Sequence, residues 1–432
     1  MKVRFVYPRF ERHAESHPEL REHVPCEEYL GPPSLGIAYL AASTPPDWEV
    51  EMRDDRLQDV GLDDVDDVDL VAISTFTASA KRALALADAF RAVGKKVVLG
   101  GIFPTMLPDV AARHADSVVV GEGEGVWPSI LRDVKAGNLQ PRYRASAPVD
   151  PASLPLPRTD LYVDGAGDRA PDDYPVQTSR GCQLSCFACA IPASMGPMLR
   201  PLPLDHILGQ IDQLAARGRL ASFTEDTSFF LHSMARARFA ELLDALAERE
   251  VPARISYIGI SMPMILATPD HLFERMRKAG VKMFYLVGGF DPITRKAFTG
   301  REPKALERAF NSIRRAFDQG IEPYTSFLVG HDEDDEGTFD RMIEFADRAG
   351  IRKAEFAILT PYPGTPVWHA LEAEGRLLHH DWSKYNDANV VFQPKQMSPD
   401  RLQEGYLHLW REFYRPRQSL RGLDREERTI QF

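Results

Sequence analysis

Residues 179–192, SRGCQLSCFACAIP, contain three of the four cysteines of this 432-residue chain, in the spacing CxxxCxxC. Cys182, Cys186 and Cys189 lie on one short loop that could wrap a single inorganic cluster. Thiolates are soft ligands that suit zinc or an iron–sulfur cluster. A structural zinc site closes four positions, and an electron-carrying ferredoxin usually supplies four cysteines. Three thiolates therefore predict a cluster with one metal position left open.

The fourth cysteine, Cys26, lies far from this loop in the sequence. It could be a distant fourth ligand, and the alternative interpretation is a buried free thiol. The first histidine after the loop, His206, falls in a helical pattern rather than at a zinc-site spacing. Three cysteines within eight residues do not form a disulfide framework, and in a reducing compartment such a group more often binds metal.

The cysteines follow the first of six strand candidates that alternate with helical patterns. The strand candidates are YPVQTSR (174–180), LASFTED (220–226), ARISYIGIS (253–261), VKMFYLVGG (281–289), IEPYTSFLVG (321–330) and KAEFAILTP (353–361). The helical patterns cover 203–217, 233–249, 269–280, 303–319 and 336–349. Six such units fall short of a closed eight-stranded barrel, so the sequence predicts an open, partial barrel over residues 174–370. In such barrels the chemistry gathers at the carboxyl ends of the strands, which is where the cysteine loop lies.

The first 145 residues also alternate strand and helix patterns and predict an α/β, Rossmann-like, doubly wound parallel sheet. The strand candidates are KVRFVY (2–7), VDLVAIST (68–75), KKVVLGG (95–101) and DSVVVGEGE (116–124), and a helix over 78–94 ends at Gly94. Small residues follow these strands: Ser74, Thr75, Gly100, Gly101 and Gly121. Ligands of open α/β sheets bind outside the carboxyl ends of the strands, so these turns are a candidate binding site. Tight strand-to-helix connections are the alternative interpretation.

Two further segments complete the predicted organisation. Residues 146–173 are rich in proline, aspartate and glycine and predict a linker between the domains. Residues 371–432 are mixed, with the aromatic stretches WSKYNDANVVFQP and LHLWREFYRP, and predict a C-terminal helical or capping segment.

The charge and hydropathy exclude some classes of protein. The formal net charge is −11, which argues against binding nucleic acid through its phosphates. No apolar run approaches the ~20 residues needed to cross a bilayer, and MKVRFVYPRF lacks the apolar region of a signal peptide. These observations predict a cytoplasmic enzyme with no nucleic-acid partner.

The cysteine motif, the six strand-helix units and LTPYPGTPVW (359–368) together resemble the radical S-adenosylmethionine (radical SAM) superfamily, and in particular its subfamily with an N-terminal cobalamin (B12)-binding domain. The resemblance implies a 4Fe–4S cluster on Cys182, Cys186 and Cys189, with S-adenosylmethionine on the open iron. It implies reductive cleavage of S-adenosylmethionine to a 5′-deoxyadenosyl radical. An external electron donor of the flavodoxin or ferredoxin type is implied as well.

The resemblance also points to residues that contact S-adenosylmethionine. Glu225 and Asp226, in FTEDTSFF (223–230), match a motif that holds the ammonium group, with a charged helix start as the alternative. The other candidates are Phe187, Gly288, Gly289, Asp291, Gly330 and Pro361. Arg200 matches a basic residue that follows the cluster loop, or is a surface arginine. The family usually has an aromatic residue directly before the third cysteine, where this sequence has Ala188.

The first domain resembles the cobalamin-binding domains over PPSLGIAYLAA (32–42), VAISTFTAS (71–79), VVLGGIFPT (97–105) and SVVVGEGEGVWP (117–128). The candidate cobalamin contacts are Ser74, Thr75, Thr77, Gly100, Gly101, Phe103, Pro104, Gly121, Glu122 and Gly123. The DxHxxG motif that supplies an axial histidine is absent from the sequence. His13, His17 and His23 lie in no such pattern, and we expect them to be solvated rather than ligands. A domain retained only as a scaffold is the alternative interpretation.

The resemblance favours a cobalamin-dependent methyltransferase that acts on an unactivated carbon of a small molecule, such as a natural-product, tetrapyrrole or lipid precursor. One alternative is a radical SAM cyclase, rearrangement or other group-transfer enzyme with an empty cobalamin domain. An alternative of another class is an iron–sulfur redox protein or S-adenosylmethionine sensor. The candidate substrate-pocket residues are Tyr257, Tyr285, Glu322 and Tyr324, although alternation along a strand turns about half of any such set outward.

Overall fold

The computed structural model describes residues 1–23, 34–167, 170–184, 186–223, 229–230, 233–249, 255–287 and 292–415. The strands are β1 (Lys2–Tyr7), β2 (Glu49–Asp54), β3 (Leu70–Ser74), β4 (Lys96–Gly100), β5 (Ser117–Val120), β6 (Arg142–Arg144), β7 (Asp173–Pro175), β8 (Ser179–Arg180), β9 (Arg200–Pro201), β10 (Leu220–Phe223), β11 (Ile255–Ile260), β12 (Met283–Val287), β13 (Glu322–Val329) and β14 (Lys353–Ile358). The helices are α1 (His13–Ser16), α2 (Leu35–Ala42), α3 (Ala80–Ala92), α4 (Ile102–Met106), α5 (Pro108–Ala111), α6 (Trp127–Lys135), α7 (Asp160–Ala166), α8 (Ile191–Met195), α9 (Leu204–Ala215), α10 (Ser233–Ala247), α11 (Met262–Ala267), α12 (Asp270–Lys278), α13 (Pro292–Ala297), α14 (Pro303–Asp318), α15 (Thr338–Ala349), α16 (Pro366–Ala373) and α17 (Pro399–Tyr414).

The N-terminal sheet has the order β2-β1-β3-β4-β5-β6, and every pair of neighbours is parallel. Its two faces pack into two separate apolar clusters, one with Phe5 and Val98 and the other with Val6 and Phe90. Side chains alternate between the faces of a strand, so neighbours such as Phe5 and Val6 enter opposite layers. The predicted doubly wound sheet is confirmed, with β2 and β6 as additional edge strands.

The second sheet has the order β14-β13-β12-β11-β10-β7 and is parallel throughout. It contains six strands in chain order, with a helix after each of the later ones, so the predicted partial barrel is confirmed. Its first strand is shorter than the sequence predicts. The chain leaves the sheet after Val176, whose N–H still donates to the carbonyl of Ser222 at 2.9 Å, and β8 then pairs with β9 instead.

The predicted linker contains a helix, α7, that packs on the first domain. The Arg158 N–H donates to the Ala38 carbonyl at 3.0 Å, and the buried Tyr162 hydroxyl donates to the Ser34 carbonyl. At the other end of the chain, α17 covers the outer face of β14, where Trp410 packs on Phe356 with ring centroids 5.4 Å apart. Within the described residues, the helices are too short or too polar to span a bilayer.

Candidate cofactor sites

The cysteine loop is closed by the short antiparallel pair β8–β9, in which Arg180 lies opposite Arg200. The Cys182 N–H donates to the Gly196 carbonyl at 3.2 Å across the base of the loop. Gly181 has φ +73°, and a Cβ there would lie 2.2 Å from the Met198 carbonyl oxygen. The loop can therefore close only with glycine directly before the first cysteine.

All three cysteines of the loop are partly exposed. The Leu184 N–H points to the Cys182 sulfur at 3.5 Å, and the Cys189 N–H donates to the Cys186 carbonyl at 3.2 Å. In the described chain no three His, Cys, Asp or Glu side chains surround one point as the ligands of a single ion would. A cubane places each thiolate on its own iron, and three thiolates on one loop are a donor set that fits it. Cys26 lies outside the described residues.

Phe187, between the second and third cysteines, connects the loop to the barrel. Its ring lies 5.4 Å from that of His331 and 4.7 Å from the guanidinium of Arg295. Its carbonyl accepts the Val367 N–H at 2.9 Å, which ties the loop to the start of α16. Ala188, in the position where the family usually has an aromatic residue, is buried.

Sequence analysis missed His331, which directly follows Gly330 at the end of β13. The His331 side chain is buried, and within the described part of the chain neither ring nitrogen has a hydrogen-bond partner. Burial lowers its pKa to about 4, so the ring is neutral at pH 7. The backbone N–H groups of Gly330 and His331 both donate to Asp334, at 2.8 and 2.9 Å. A histidine directly after a strand-end glycine is the signal that could have identified it.

The structure brings only some of the candidate S-adenosylmethionine contacts together. Phe187 packs beside the end of β13, where Gly330 lies, and the buried Pro361 follows the end of β14. The Leu359 N–H donates to the Val329 carbonyl at 2.8 Å, which holds these two strand ends side by side. The candidates outside the described residues are Glu225, Asp226, Gly288, Gly289 and Asp291.

A cavity of about 370 Å³ lies at the carboxyl edge of the N-terminal sheet. The predicted cobalamin contacts that line it are Ser74, Thr75, Gly100, Gly101, Gly121, Glu122 and Gly123. Thr77, Phe103 and Pro104 are buried beside it rather than in its lining, and the Phe103 ring packs on Trp382 at 5.5 Å. Sequence analysis missed the apolar lining residues, which include Tyr7, Leu40 and Trp127.

The lining also includes residues from around the cysteine loop: Gln177, Arg180, Ser194 and Met195. The cavity therefore lies between the two domains and borders the segments that flank the cysteines. Its shape depends on Gly101, whose φ is +102° and whose Cβ would lie 2.5 Å from the Thr75 carbonyl oxygen. The mostly apolar lining and the small residues of the turns fit part of a large cofactor held at the edge of this sheet.

We expect Gly101→Ala to destabilise the apoprotein by about 2 kcal/mol and to reduce the amount of corrin retained, because the backbone of Thr75 must move. The measurement is urea unfolding together with the visible absorbance that remains after gel filtration with hydroxocobalamin. Gly137→Ala is the matched control: Gly137 has φ +66°, but a Cβ there meets no atom within 4 Å. The prediction is wrong if both variants behave alike.

Glu122 is the centre of a buried ion-pair network between the domains. Its carboxylate accepts from Arg180 at 3.2 Å and from Arg200 at 2.9 and 3.0 Å. Glu124 pairs with Arg180 at 2.6 Å, and the Arg180 guanidinium lies 5.1 Å from the ring centroid of Tyr39. Arg200 is thus an interdomain residue rather than a surface arginine. The two arginines that close the base of the cysteine loop are held by carboxylates from the turn after β5.

The expectation that the N-terminal histidines are solvated is wrong for two of them. His13 hydrogen-bonds through Nδ1 to the Tyr406 hydroxyl at 2.6 Å, and its ring lies edge-on to Trp410 at 5.9 Å. His17 Nε2 lies 2.8 Å from the Ala388 carbonyl oxygen. Both side chains join the first domain to the C-terminal segment, and His23 is exposed.

Burial lowers the pKa of His13 to about 4, so we expect the histidine to make the fold acid-sensitive. In the unfolded chain the pKa returns to about 6.5. Between these values the unfolded state binds more protons, so stability falls as the pH falls, by roughly 3 kcal/mol in total near pH 4. Urea unfolding from pH 7 to pH 4 should show a shallower decline for His13→Gln. Parallel curves for the two proteins would contradict the prediction.

The substrate-pocket candidates are divided by the structure. Tyr257, Tyr285 and Tyr324 form a row across β11, β12 and β13, with neighbouring ring centroids 5.7 and 5.5 Å apart. Glu322 lies at the amino-terminal end of β13 and pairs with Arg352 at 3.1 Å. It is therefore at the opposite end of the strand from the carboxyl end, where the chemistry of such a barrel takes place. Glu355, which sequence analysis missed, accepts hydrogen bonds from Tyr285 and Tyr324.

Comparison with known proteins agrees with this architecture. Residues 176–346 match the radical SAM superfamily, residues 30–131 match the B12 binding domain, and residues 365–431 match a domain of unknown function (DUF4070). The chain is 28% identical over 392 residues to bacteriochlorophyllide d C-12(1)-methyltransferase of Chlorobaculum tepidum, covering 88% of this chain and 82% of that protein. It is 24% identical to hopanoid C-2 methylase of Rhodopseudomonas palustris, covering 83% and 67% of the two chains.

Among solved structures, the fold is similar to that of the radical S-adenosylmethionine methyltransferase TsrM from Kitasatospora setae, with tryptophan substrate and a SAM analogue bound. The TM-score is 0.64 at 16% identity, covering 94% of this chain and 83% of TsrM. A second TsrM structure, with cobalamin and a [4Fe–4S] cluster bound, has the same TM-score.

The class defined by these domains and sites is that of the radical SAM enzymes. The chain carries a radical SAM domain and, before it, a B12-binding domain, and this pair supports the radical SAM subfamily with an N-terminal B12-binding domain. Its cofactors are a 4Fe–4S cluster, S-adenosylmethionine and cobalamin, and its curated relatives place it with the methyltransferases.

Proposed function

We propose that this enzyme methylates an unactivated carbon of a small molecule, such as a tetrapyrrole or lipid precursor, after reductive cleavage of S-adenosylmethionine. The observation that carries the proposal is the interdomain cavity, which is bordered both by the turns of the B12-binding domain and by residues that flank the cysteine loop. When bound, the reduced cluster supplies the electron that cleaves S-adenosylmethionine to a 5′-deoxyadenosyl radical, and the cobalamin supplies the methyl group.

The chain's own residues hold the cysteine loop and the cavity of the B12-binding domain next to each other. The cysteine loop is held against the first domain by Arg180 and Arg200 on Glu122, which leaves little freedom for the domains to separate. The lining of the cavity is mostly apolar, which excludes water from a reactive centre. A protein of the flavodoxin or ferredoxin type supplies the electron. The bacteriochlorophyllide and hopanoid substrates in the relatives' names support a large, hydrophobic substrate.

The test uses anaerobic protein reconstituted with iron, sulfide and hydroxocobalamin and then reduced with titanium citrate in the presence of S-adenosylmethionine. We expect both 5′-deoxyadenosine and S-adenosylhomocysteine, the second from methylation of the corrin. 5′-Deoxyadenosine without S-adenosylhomocysteine would contradict the methyltransferase and favour a cyclase or rearrangement with an empty B12-binding domain. S-Adenosylmethionine binding with neither product would favour a sensor.

A further inference from the structure

The inner surface of the partial barrel, its lumen, is identified by what packs on the outer surface. Phe284 of β12 packs on Phe273 of α12 with ring centroids 6.1 Å apart, and Phe356 of β14 packs on Trp410 of α17. Successive side chains of a strand point to opposite faces of the sheet. Tyr285 and Glu355, next to those outward phenylalanines, therefore face the lumen.

Glu355 is the acidic centre of a set of luminal hydroxyl groups. Its carboxylate accepts hydrogen bonds from the hydroxyls of Tyr285 and Tyr324, the latter at 3.0 Å, and from Ser326. Glu355 forms no ion pair with any Lys or Arg of the described chain, unlike Glu322 on the same sheet. Burial raises its pKa. A further hydrogen-bond donor would stabilise a carboxyl group in such surroundings.

The opposite wall of the lumen holds a polar group without a partner. Phe223 of β10 packs on Phe229 with ring centroids 5.7 Å apart, in the layer outside the sheet, so its neighbour Ser222 faces inward. Ser222 is 1% exposed, and its hydroxyl has no hydrogen-bond partner among the residues that the structure describes. A buried polar atom in that state costs about 1–3 kcal/mol, and a bound ligand would remove the cost.

The luminal face of β14 is less buried than its outer face. Along β14 the inward residues Glu355 and Ala357 are partly exposed, whereas the outward Ala354, Phe356 and Ile358 are buried. A core strand would be buried on both faces. The small side chain of Ala357, directly above Glu355 on the way to the strand end, leaves room for a ligand to reach the carboxylate.

We propose that Ser222, Tyr257, Tyr285, Tyr324 and Glu355, the luminal cluster, anchor a substrate through an amine or hydroxyl group that donates a hydrogen bond to Glu355. The body of this substrate is apolar, since the row of three tyrosines, in which Tyr285 stacks on Tyr324 and is tilted to Tyr257, offers it ring faces and edges. A substrate with a carboxylate at this end would be repelled. The proposal rests on the proposed function and specifies the substrate class for that reaction.

The position of the anchor sets the geometry of the substrate. Leu359, directly after the end of β14, lies four residue steps beyond Glu355, a span of about 13 Å at the rise of a β-strand. Strand ends carry the chemistry in such barrels. The methylated carbon is therefore expected roughly 10 Å from the donor group that Glu355 binds.

The test measures binding of three fluorescent probes that share a naphthalene ring: the amine 2-(1-naphthyl)ethylamine, the alcohol 2-(1-naphthyl)ethanol and the carboxylate 1-naphthaleneacetate. Fluorescence anisotropy is recorded with the reconstituted holoenzyme. We expect the amine and the alcohol to bind about tenfold tighter than the carboxylate. Glu355→Gln should lower the affinity for the amine about tenfold. Ser222→Ala should lower the affinity for the amine and for the alcohol about threefold.

Glu344→Gln, which makes the same change of charge on the exposed face of α15, is the matched control and should bind all three probes as the wild type does. Cluster absorbance shows that each variant is intact. Equal affinity for the three probes, or an intact Glu355→Gln protein with wild-type affinity, would overturn the anchor. If S-adenosylhomocysteine still forms, the proposed function survives that result. If the probes behave as expected and S-adenosylhomocysteine is absent, the proposed function is wrong and the proposed role of the luminal cluster is supported.

Discussion

Replacing any one of Cys182, Cys186 and Cys189 with alanine is expected to remove the 4Fe–4S cluster and reduce 5′-deoxyadenosine formation to background. Each thiolate binds one iron, and the loop offers no substitute, because the residues between the cysteines are glutamine, leucine, serine, phenylalanine and alanine. We expect a loss of at least about 10³-fold in the rate, comparable to the loss of a group that acts as part of a catalytic unit. Anaerobic absorbance near the cluster bands and chromatography of the nucleoside products are the measurements.

Cys26→Ala is the control for these variants. It removes the fourth cysteine of the chain and should leave both the cluster absorbance and the product unchanged. Loss of the cluster in Cys26→Ala would show that four thiolates hold it, which would contradict the open position predicted from CxxxCxxC. Retention of the cluster in any single variant of the loop would contradict the three-ligand assignment itself.

Several strands that sequence analysis found have a pattern that comes from burial on both faces. β3 reads LVAIS and β4 reads KVVLG, near-continuous apolar runs of the kind that a covered parallel sheet requires. β2, EVEMRD, was missed because it is an edge strand with charged residues facing solvent and neighbouring side chains. β7 was predicted too long because YPVQTSR (174–180) was taken as one strand, although the residues after Val176, where the chain leaves the sheet, are all polar.

The residues of the site were predictable only where the backbone alone decides them. Gly101 and Gly330 follow strands and adopt φ of +102° and +104°, and glycine at such a turn is legible in the sequence. The partners of Glu122 could not be predicted from the sequence, because the arginines that bind it lie 58 and 78 residues further along the chain. Glu355 was missed for the same reason: two tyrosines on other strands define its surroundings, and a single carboxylate in an apolar strand does not reveal them.

Arg180→Met is expected to destabilise the apoprotein by about 3–5 kcal/mol, the cost of breaking a buried ion pair from one side. The Arg180 side chain is 4% exposed and the Glu122 and Glu124 side chains are each 8% exposed, so water solvates these charges poorly. Among the described residues Arg180 is the one that pairs with Glu124, whereas Glu122 keeps Arg200. The penalty therefore arises mainly at Glu124, which the substitution leaves buried and charged.

A second substitution separates that cause from loss of packing. If the unpaired Glu124 carboxylate is responsible, Arg180→Met combined with Glu124→Gln should recover about 1–3 kcal/mol of the loss, because an amide is less costly to bury than a carboxylate. Arg348→Met, which breaks an exposed pair with Glu344 on α15, should change stability by less than about 0.5 kcal/mol. Urea unfolding of the four proteins measures all of these differences. An Arg180→Met protein as stable as Arg348→Met would show that the network between the B12-binding domain and the cysteine loop does not hold them together, and the fixed placement of the two cofactor sites would then need another source.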